Sequence, residues 1–357
     1  MKKFVFMLVV LGIIIVAGAA ANNASKKPPA KKVSEEGTIS KDKTVAPPLT
    51  NNSPKNTTST ATKGISTMIP PSAQVLSWEF ERETITASVA AKSNNNLLHV
   101  ALSSGQEGDI PIQYEGGTPA DRYAKIISDQ TKTGNHLIHF WLKNATIPTG
   151  FGGDYAYKGR IQLNLYDISY TSIFTRYRMY LHPDLKFYKT YPNENTWFTI
   201  SELWFRGTDG NNFRIPLNIV KEAGVNKPLY FFVGGDAGKR NSSGGDGPWK
   251  NIWGQANTQF EVPVGEWIDM EIGYKQGNKN FGRFYLAAKR VTDAKMVTVF
   301  DITDWTYNPD AKTPTPLTGW NPLKLYTSGK VIKHIRESGG VAQIYWDDFK
   351  LFDHWSQ

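Results

Sequence analysis

From about residue 71 to its C-terminus the chain is written in short runs of alternating apolar and polar residues, each closed by Gly, Pro, Asn or Asp. Successive side chains of an extended strand point to opposite faces, so a period of two buries one face and leaves the other to water. Thirteen such runs stand out, at 78–82, 97–103, 136–143, 159–167, 172–181, 197–206, 213–220, 228–234, 266–275, 282–290, 296–301, 322–327 and 343–352. A helical period is confined to 119–129 and 328–338, and no repeat of fixed length suggests a propeller or solenoid. The expected fold is therefore all-β, a sandwich of two sheets. Immunoglobulin-type sandwiches need only about 100 residues. A stretch of this length, without a second linker, favours one large jelly roll over two stacked smaller sandwiches.

The sequence before this region has a different texture. Met1-Lys2-Lys3 precedes an apolar run from Phe4 to about Ala21 that closes in small residues, the pattern of a secretory signal. The run also just reaches the length of a membrane anchor, so residues 1–21 read as a signal peptide or anchor. Residues 22–70 are rich in Lys, Pro, Ser, Thr, Ala and Asn and contain no aromatic residue, which is the composition of a disordered linker. Residues 71–357 hold all 11 Trp and all 16 Tyr and form the folded domain. The chain has no Cys, which excludes disulfides, thiolate metal sites, a Cys nucleophile and a lipidated Cys tether. Secretion or cell-surface display is expected, with a core that stabilises itself and a domain acting as a monomer.

The net charge of +9 does not belong to the domain. Residues 1–70 carry ten Lys against Glu35, Glu36 and Asp42, a net of +7, which leaves +2 for the remainder. The basic tail suits contact with a cell wall or membrane surface, and nucleic-acid binding finds no basic stripe in the folded part. Asn-x-Ser/Thr triplets at Asn23, Asn51, Asn56, Asn144 and Asn241 matter only if the source glycosylates exported proteins.

Strand faces carry the candidate chemistry. In 199–206 one face presents Glu202, Trp204 and Arg206, opposite Leu203 and Phe205. In 176–181 one face presents Arg176, Arg178 and Tyr180, and in 323–326 Lys324 and Tyr326 stand opposite two Leu residues. Aromatic rings stack on the apolar faces of sugars, and Arg and Lys pair with carboxylates, so such faces suit a polysaccharide. The Gly-rich stretch 234–249 reads as a mobile loop that brings Trp249 and Trp253 over a cleft. Each of these residues also has a plain reading as core, edge or surface ion pair.

Other chemistries find less support. Glu266, Asp269 and Glu271 are spaced so that Glu266 and Asp269 fall on opposite faces, which does not suit a glycosidase strand. No His-x-x-x-His pair occurs among the six His, so no transition-metal site is expected. No Gly-x-Ser-x-Gly elbow suggests a serine hydrolase. His182, before Pro183 at a strand end, reads as a turn residue more readily than as part of a cleft rim. Asp347-Asp348 could hold a structural Ca²⁺, but a turn or strand edge is the preferred reading. No cofactor is expected.

The stretches Ser201-Glu202-Leu203-Trp204, Gly265-Glu266-Trp267, Pro322-Leu323-Lys324-Leu325-Tyr326 and Tyr345-Trp346-Asp347-Asp348-Phe349 resemble strands of the concanavalin A-like jelly-roll polysaccharide lyases of alginate, glucuronan and heparin type. The Lys324 strand is similar to the aromatic-x-Lys-x-Gly-x-Tyr strand of alginate lyases, with Lys and Tyr only two apart. The family's Gln-x-His strand has no counterpart in 229–233, and the first Arg of its Arg-x-Glu-x-Arg strand is replaced. The resemblance implies β-elimination at a uronic acid. Tyr326 would act as acid, base or both, with its phenol pKa lowered by Lys324 and by Arg206 or Arg178, which would also bind the carboxylate. Tyr180, Arg178, Glu202, Trp204, Trp249 and Trp253 would line the substrate site. A non-catalytic glycan-binding module, a glycoside hydrolase on the same fold and a purely structural domain stand as alternatives.

Overall fold

The computed structural model describes residues 74–87, 95–101, 107–145, 147–148, 157–240 and 248–355. The expected signal or anchor at 1–21 and linker at 22–70 lie outside the described residues. So do four of the five glycosylation triplets, and of the fifth only Asn144 and Ala145 are described.

The strands in chain order are β1 (Gln74–Trp78), β2 (Thr84–Ala87), β3 (Asn96–Ala101), β4 (Glu107–Glu115), β5 (Arg122–Ser128), β6 (His136–Leu142), β7 (Ile147–Pro148), β8 (Tyr157–Leu163), β9 (Leu165–Tyr170) and β10 (Ser172–Leu181). They continue as β11 (Asn195–Arg206), β12 (Asn211–Lys221), β13 (Tyr230–Lys239), β14 (Lys250–Glu261), β15 (Trp267–Lys275), β16 (Arg283–Arg290), β17 (Val297–Thr303), β18 (Leu317–Asn321), β19 (Lys324–Ser328) and β20 (Ala342–Phe352). The larger sheet runs β14-β13-β12-β11-β19-β8-β4-β3-β2, with β18 on β11, β9 on β18 and β7 on β8. The smaller runs β17-β16-β15-β10-β20-β6-β5, with β1 on β20. The pairings are antiparallel, and the two sheets form a jelly-roll sandwich.

Alternation explains the packing. Leu203 and Phe205 of β11, Phe213 and Ile215 of β12, and Ile161 of β8 turn inward to meet Tyr177 and Met179 of β10 and Tyr274 of β15 in one continuous core. The Phe205 and Tyr274 rings touch across the sheets at 5.2 Å, and Trp320 meets Phe349 at 5.9 Å. Each such burial contributes about 1.5–3 kcal/mol, so this core stabilises the domain without disulfides. One core joining both sheets settles the choice between one large sandwich and two small ones.

Three local expectations need correction. The run at 78–82 is not a strand beyond its first residue, since β1 ends at Trp78. Residues 119–129, expected as a helix, hold strand β5, whose Ala124 packs inward while Tyr123 and Lys125 turn out. Residues 234–249 are not one loop: Gly234 to Lys239 belong to β13, Lys250 already begins β14, and 241–247 lie outside the described residues. The glycines there are packing positions. A Cβ on Gly235 would lie 2.3 Å from the Trp253 indole, and one on Gly238 2.7 Å from Trp249.

The expected helix at 328–338 is present as α2 (Gly329–Glu337), capped by the Ser328 hydroxyl, which accepts from the Val331 N–H. A short turn, Pro183–Leu185, runs into α1 (Lys186–Lys189). His182 Nδ1 accepts from the Asp184 N–H at 3.2 Å, which is the turn role expected of it.

Candidate functional site

The outer face of the larger sheet holds a dense polar cluster. Its rows follow from strand register: Glu115, Arg160, Tyr326, Thr199 and Asn218 lie side by side across β4, β8, β19, β11 and β12. Gln113, Gln162 and Lys324 form the next row. Trp204, Arg214 and Asp236 form another. The pairing of β11 with β12 shifts between Thr199 and Ser201. That extra residue changes the phase of the alternation, so Thr199 and Glu202, three apart, both face outward.

At the centre Lys324 and Glu202 form a close ion pair, and both are buried, at 1% and 3% exposure. Arg214 Nη1 reaches Glu202 at 3.4 Å while its Nε donates to Asp236 at 3.1 Å. Arg160 and Lys158 both pair with Glu115, at 3.0 and 3.3 Å. Asn321 accepts from the Trp204 indole N–H at 3.0 Å, and Asn164 ties Asn321 to Gln162.

Aromatic rings edge the cluster. Trp204 meets Trp249 edge-on at 5.7 Å, Arg214 lies 4.5 Å over Trp249, and Trp197 meets Tyr326 at 4.8 Å. Three cations surround the Tyr326 ring: Lys324 at 5.2 Å, Lys158 at 5.7 Å and Arg160 at 5.9 Å.

The electrostatics depart from the sequence expectation. Burial pushes the Tyr326 phenol far up, Glu115 and Glu202 push it further, and Arg160 and Arg214 oppose them without reversing the shift. Tyr326 is therefore a neutral phenol at ordinary pH, an acid in waiting rather than an activated base. Burial lowers Lys324 to about 8, against the raising influence of Glu202. Burial also works to raise Glu202, but Lys324 and Arg214 hold it below the usual carboxylate range. The pair is ionised at neutral pH.

The structure brings Glu202, Trp204, Lys324, Tyr326 and Trp249 together on this face. Arg206 joins at its rim, exposed at the end of β11 with its guanidinium 5.2 Å over Trp204. Arg178 and Tyr180 do not join it. They belong to β10, on the outer face of the smaller sheet and so on the far side of the core. There Arg178 pairs with Asp269 at 3.5 Å and lies 4.6 Å over Trp267. Trp253 is a core residue, 9% exposed, whose indole N–H donates to the Trp305 carbonyl at 2.7 Å.

Asp347, fully buried, accepts from the Asn135 side-chain amide at 3.1 Å, and Asp348 has a left-handed backbone with φ +52. Both sit beside a bulge between β10 and β20. Among the described residues no group of three or more His, Asp or Glu side chains is arranged to hold a metal.

Sequence reasoning passed over Arg160 and Arg214. The signal was present: each stands between inward residues, Arg160 beside Ile161 and Arg214 between Phe213 and Ile215, so each faces outward.

No protein-family model matches the sequence, and no curated protein matches it. By structure the chain is similar to endo-β-1,4-glucuronan lyase from the fungus Trichoderma reesei, at 12% identity and TM-score 0.39 over 67% of this chain and 94% of that one. It is similar to alginate lyase Aly36B at 15% identity and TM-score 0.41 over 80% and 98%. It is similar, too, to the marine PL-14 alginate lyase from Aplysia kurodai at 8% identity and TM-score 0.36 over 78% and 99%. At these identities and scores the activities in those names are statements about those proteins alone.

Proposed function

We propose that the protein is a polysaccharide lyase that cleaves a uronic-acid polysaccharide by β-elimination on the outer face of its larger sheet. The observation that carries this reading is a neutral phenol, Tyr326, ringed by Lys158, Arg160 and Lys324, with Arg214 in the same cluster. β-Elimination needs a cation to neutralise the uronate carboxylate so that the C5 proton becomes removable. It also needs a base to take that proton and an acid for the leaving glycosidic oxygen.

Arg160 and Arg214 are the guanidinium groups suited to the carboxylate, since a planar fork matches its two oxygens. Tyr326 supplies the acid. Lys324, lowered to about 8, is the base on this face closest to neutrality, and it acts once its ammonium has released its proton and left Glu202. Trp204 and Trp249 offer apolar surface to sugar rings, with Arg206 at the rim. The bonds balance: C5 loses a proton to Lys324, a C4–C5 double bond forms, the C4–O bond breaks, and the oxygen takes the Tyr326 proton.

A specific observation favours a second reading, a non-catalytic glycan-binding face. Lys324 is buried and already paired, which is the arrangement of a structural ion pair beneath a binding surface. Incubation with alginate, polyglucuronate and heparin, followed by ultraviolet absorbance of the unsaturated product, separates the two. Rising absorbance supports the lyase. Retention on one of these polymers without any rise supports the binding module and sinks the lyase.

A further inference from the structure

A second face of the molecule has an organisation of its own. On the outer side of the smaller sheet, Lys125, His139, Tyr345, Tyr180 and Trp267 are register partners across five neighbouring strands, β5, β6, β20, β10 and β15. The rings touch in sequence: His139 and Tyr345 at 4.4 Å, Tyr345 and Tyr180 at 5.7 Å, Tyr180 and Trp267 at 5.3 Å. Tyr123 and Trp141 stack at 4.9 Å in the adjoining row. Four gaps of about 4.8 Å make the row about 19 Å long, enough for several sugar units. Apart from His139, these rings are half-buried and present part of their surface outward.

Hydrogen-bonding groups run alongside. His139 Nε2 and Gln343 Oε1 are 3.0 Å apart, and Gln343 Nε2 donates to Asp184 at 3.0 Å. The arginines are matched within the face, Arg176 with Glu271 at 2.8 Å, and Arg178 with Asp269 at 3.5 Å and with Asp347 and Asp348 at 3.9 Å, while Lys125 at the end of the row lies 4.4 Å over the Tyr123 ring. Burial holds His139 down at about 4, so it adds no charge at neutral pH.

An aromatic row whose arginines are already matched to carboxylates offers a polyanion little and suits an uncharged chain better. We propose that this face is a second, non-catalytic platform that binds a neutral pyranose polysaccharide across the strands. It stands whether or not the opposite face is catalytic.

Native affinity electrophoresis through gels containing barley β-glucan, xyloglucan or galactomannan tests it, with alginate gels as the anionic comparison. Retardation by at least one neutral polymer is expected. Combining Trp267→Ala with Tyr180→Ala should weaken it by about tenfold or more through loss of ring contact. Tyr345→Phe, which keeps the ring and the packing, should retain most of the retardation, and Tyr326→Phe on the other face all of it. Absence of retardation in every neutral gel overturns the proposal, as does retardation unchanged in the double variant while circular dichroism shows a native fold. A dimer in light scattering that becomes a monomer in the double variant also overturns it, by making this face a self-association surface.

Discussion

Replacing Glu202 with Leu leaves the Lys324 ammonium buried without its carboxylate, at a position only 1% exposed. Arg214, 3.4 Å from Glu202, loses one of its two acidic partners in the same change and keeps Asp236. Removing one member of a buried pair typically costs about 3–5 kcal/mol, because the remaining charge stays out of water. For a domain of this size each kcal/mol lowers Tm by about 2–4 °C, so the expected fall is about 6–20 °C.

Lys324→Met should cost less, since Glu202 keeps Arg214 as a partner. The double variant, with Leu and Met filling the space, should recover most of the loss, because replacing both charges by apolar groups of similar volume is often neutral. Thermal unfolding of the four proteins by circular dichroism closes the cycle and isolates the coupling between the two residues. A fall below about 1 kcal/mol for Glu202→Leu, the range of exposed pairs, would refute the description of this pair as buried.

The pH dependence of the same pair has a defined sign. Lys324 has a folded pKa of about 8, below its ordinary value of 10.5, so between the two the unfolded chain binds the extra proton. The Lys324 contribution therefore grows more favourable as pH rises from about 8 towards 10.5, and the stability of wild type relative to Lys324→Met should rise over that window. Lyase activity should climb through about pH 8 as Lys324 becomes neutral, and a flat profile there removes it as the base. Tyr326→Phe should lose product formation by about 10²-fold or more, while Arg160→Ala and Arg214→Ala should raise KM as well as lower kcat. Trp253→Ala should destabilise the fold by about 3–5 kcal/mol in denaturant titrations, and binding of glycan by the folded fraction should be unchanged.

Strand existence was legible for most strands with a buried face, but not for β4, which buries Ile110, Ile112 and Tyr114, or for β18, which buries Leu317 and Trp320. The reading of 172–181 coincides with β10, and that of 343–352 falls one residue short of β20. Strand β14 was missed because it is exposed along most of its length, with Trp253 and Phe260 its buried large residues, so it shows no alternation. Strand β5 was misread because Ala, Arg and Lys favour helix locally, and pairing with β6 overrides that preference.

The site divides along the same line. A period of two tells which residues share a face, and it grouped Glu202 with Trp204 and Lys324 with Tyr326 correctly. It does not tell which sheet a strand joins, so Arg178 and Tyr180 carried the same local signature and landed on the opposite side. Burial of the pair and the upward shift of the phenol depend on neighbours from other strands that no local pattern assembles, with Glu115 and Glu202 adding to the shift and Arg160 and Arg214 opposing it.

The most direct test of the lyase account is mass spectrometry of oligosaccharides released from alginate, polyglucuronate or heparin in water enriched in heavy oxygen. Elimination predicts products with an unsaturated uronate at the non-reducing end and no label incorporated by bond cleavage. Heavy oxygen entering at the new reducing end beyond its spontaneous exchange, one atom per bond cleaved and with no unsaturated uronate, would make the protein a hydrolase, and the absence of released oligosaccharides from all three would contradict catalysis on this face.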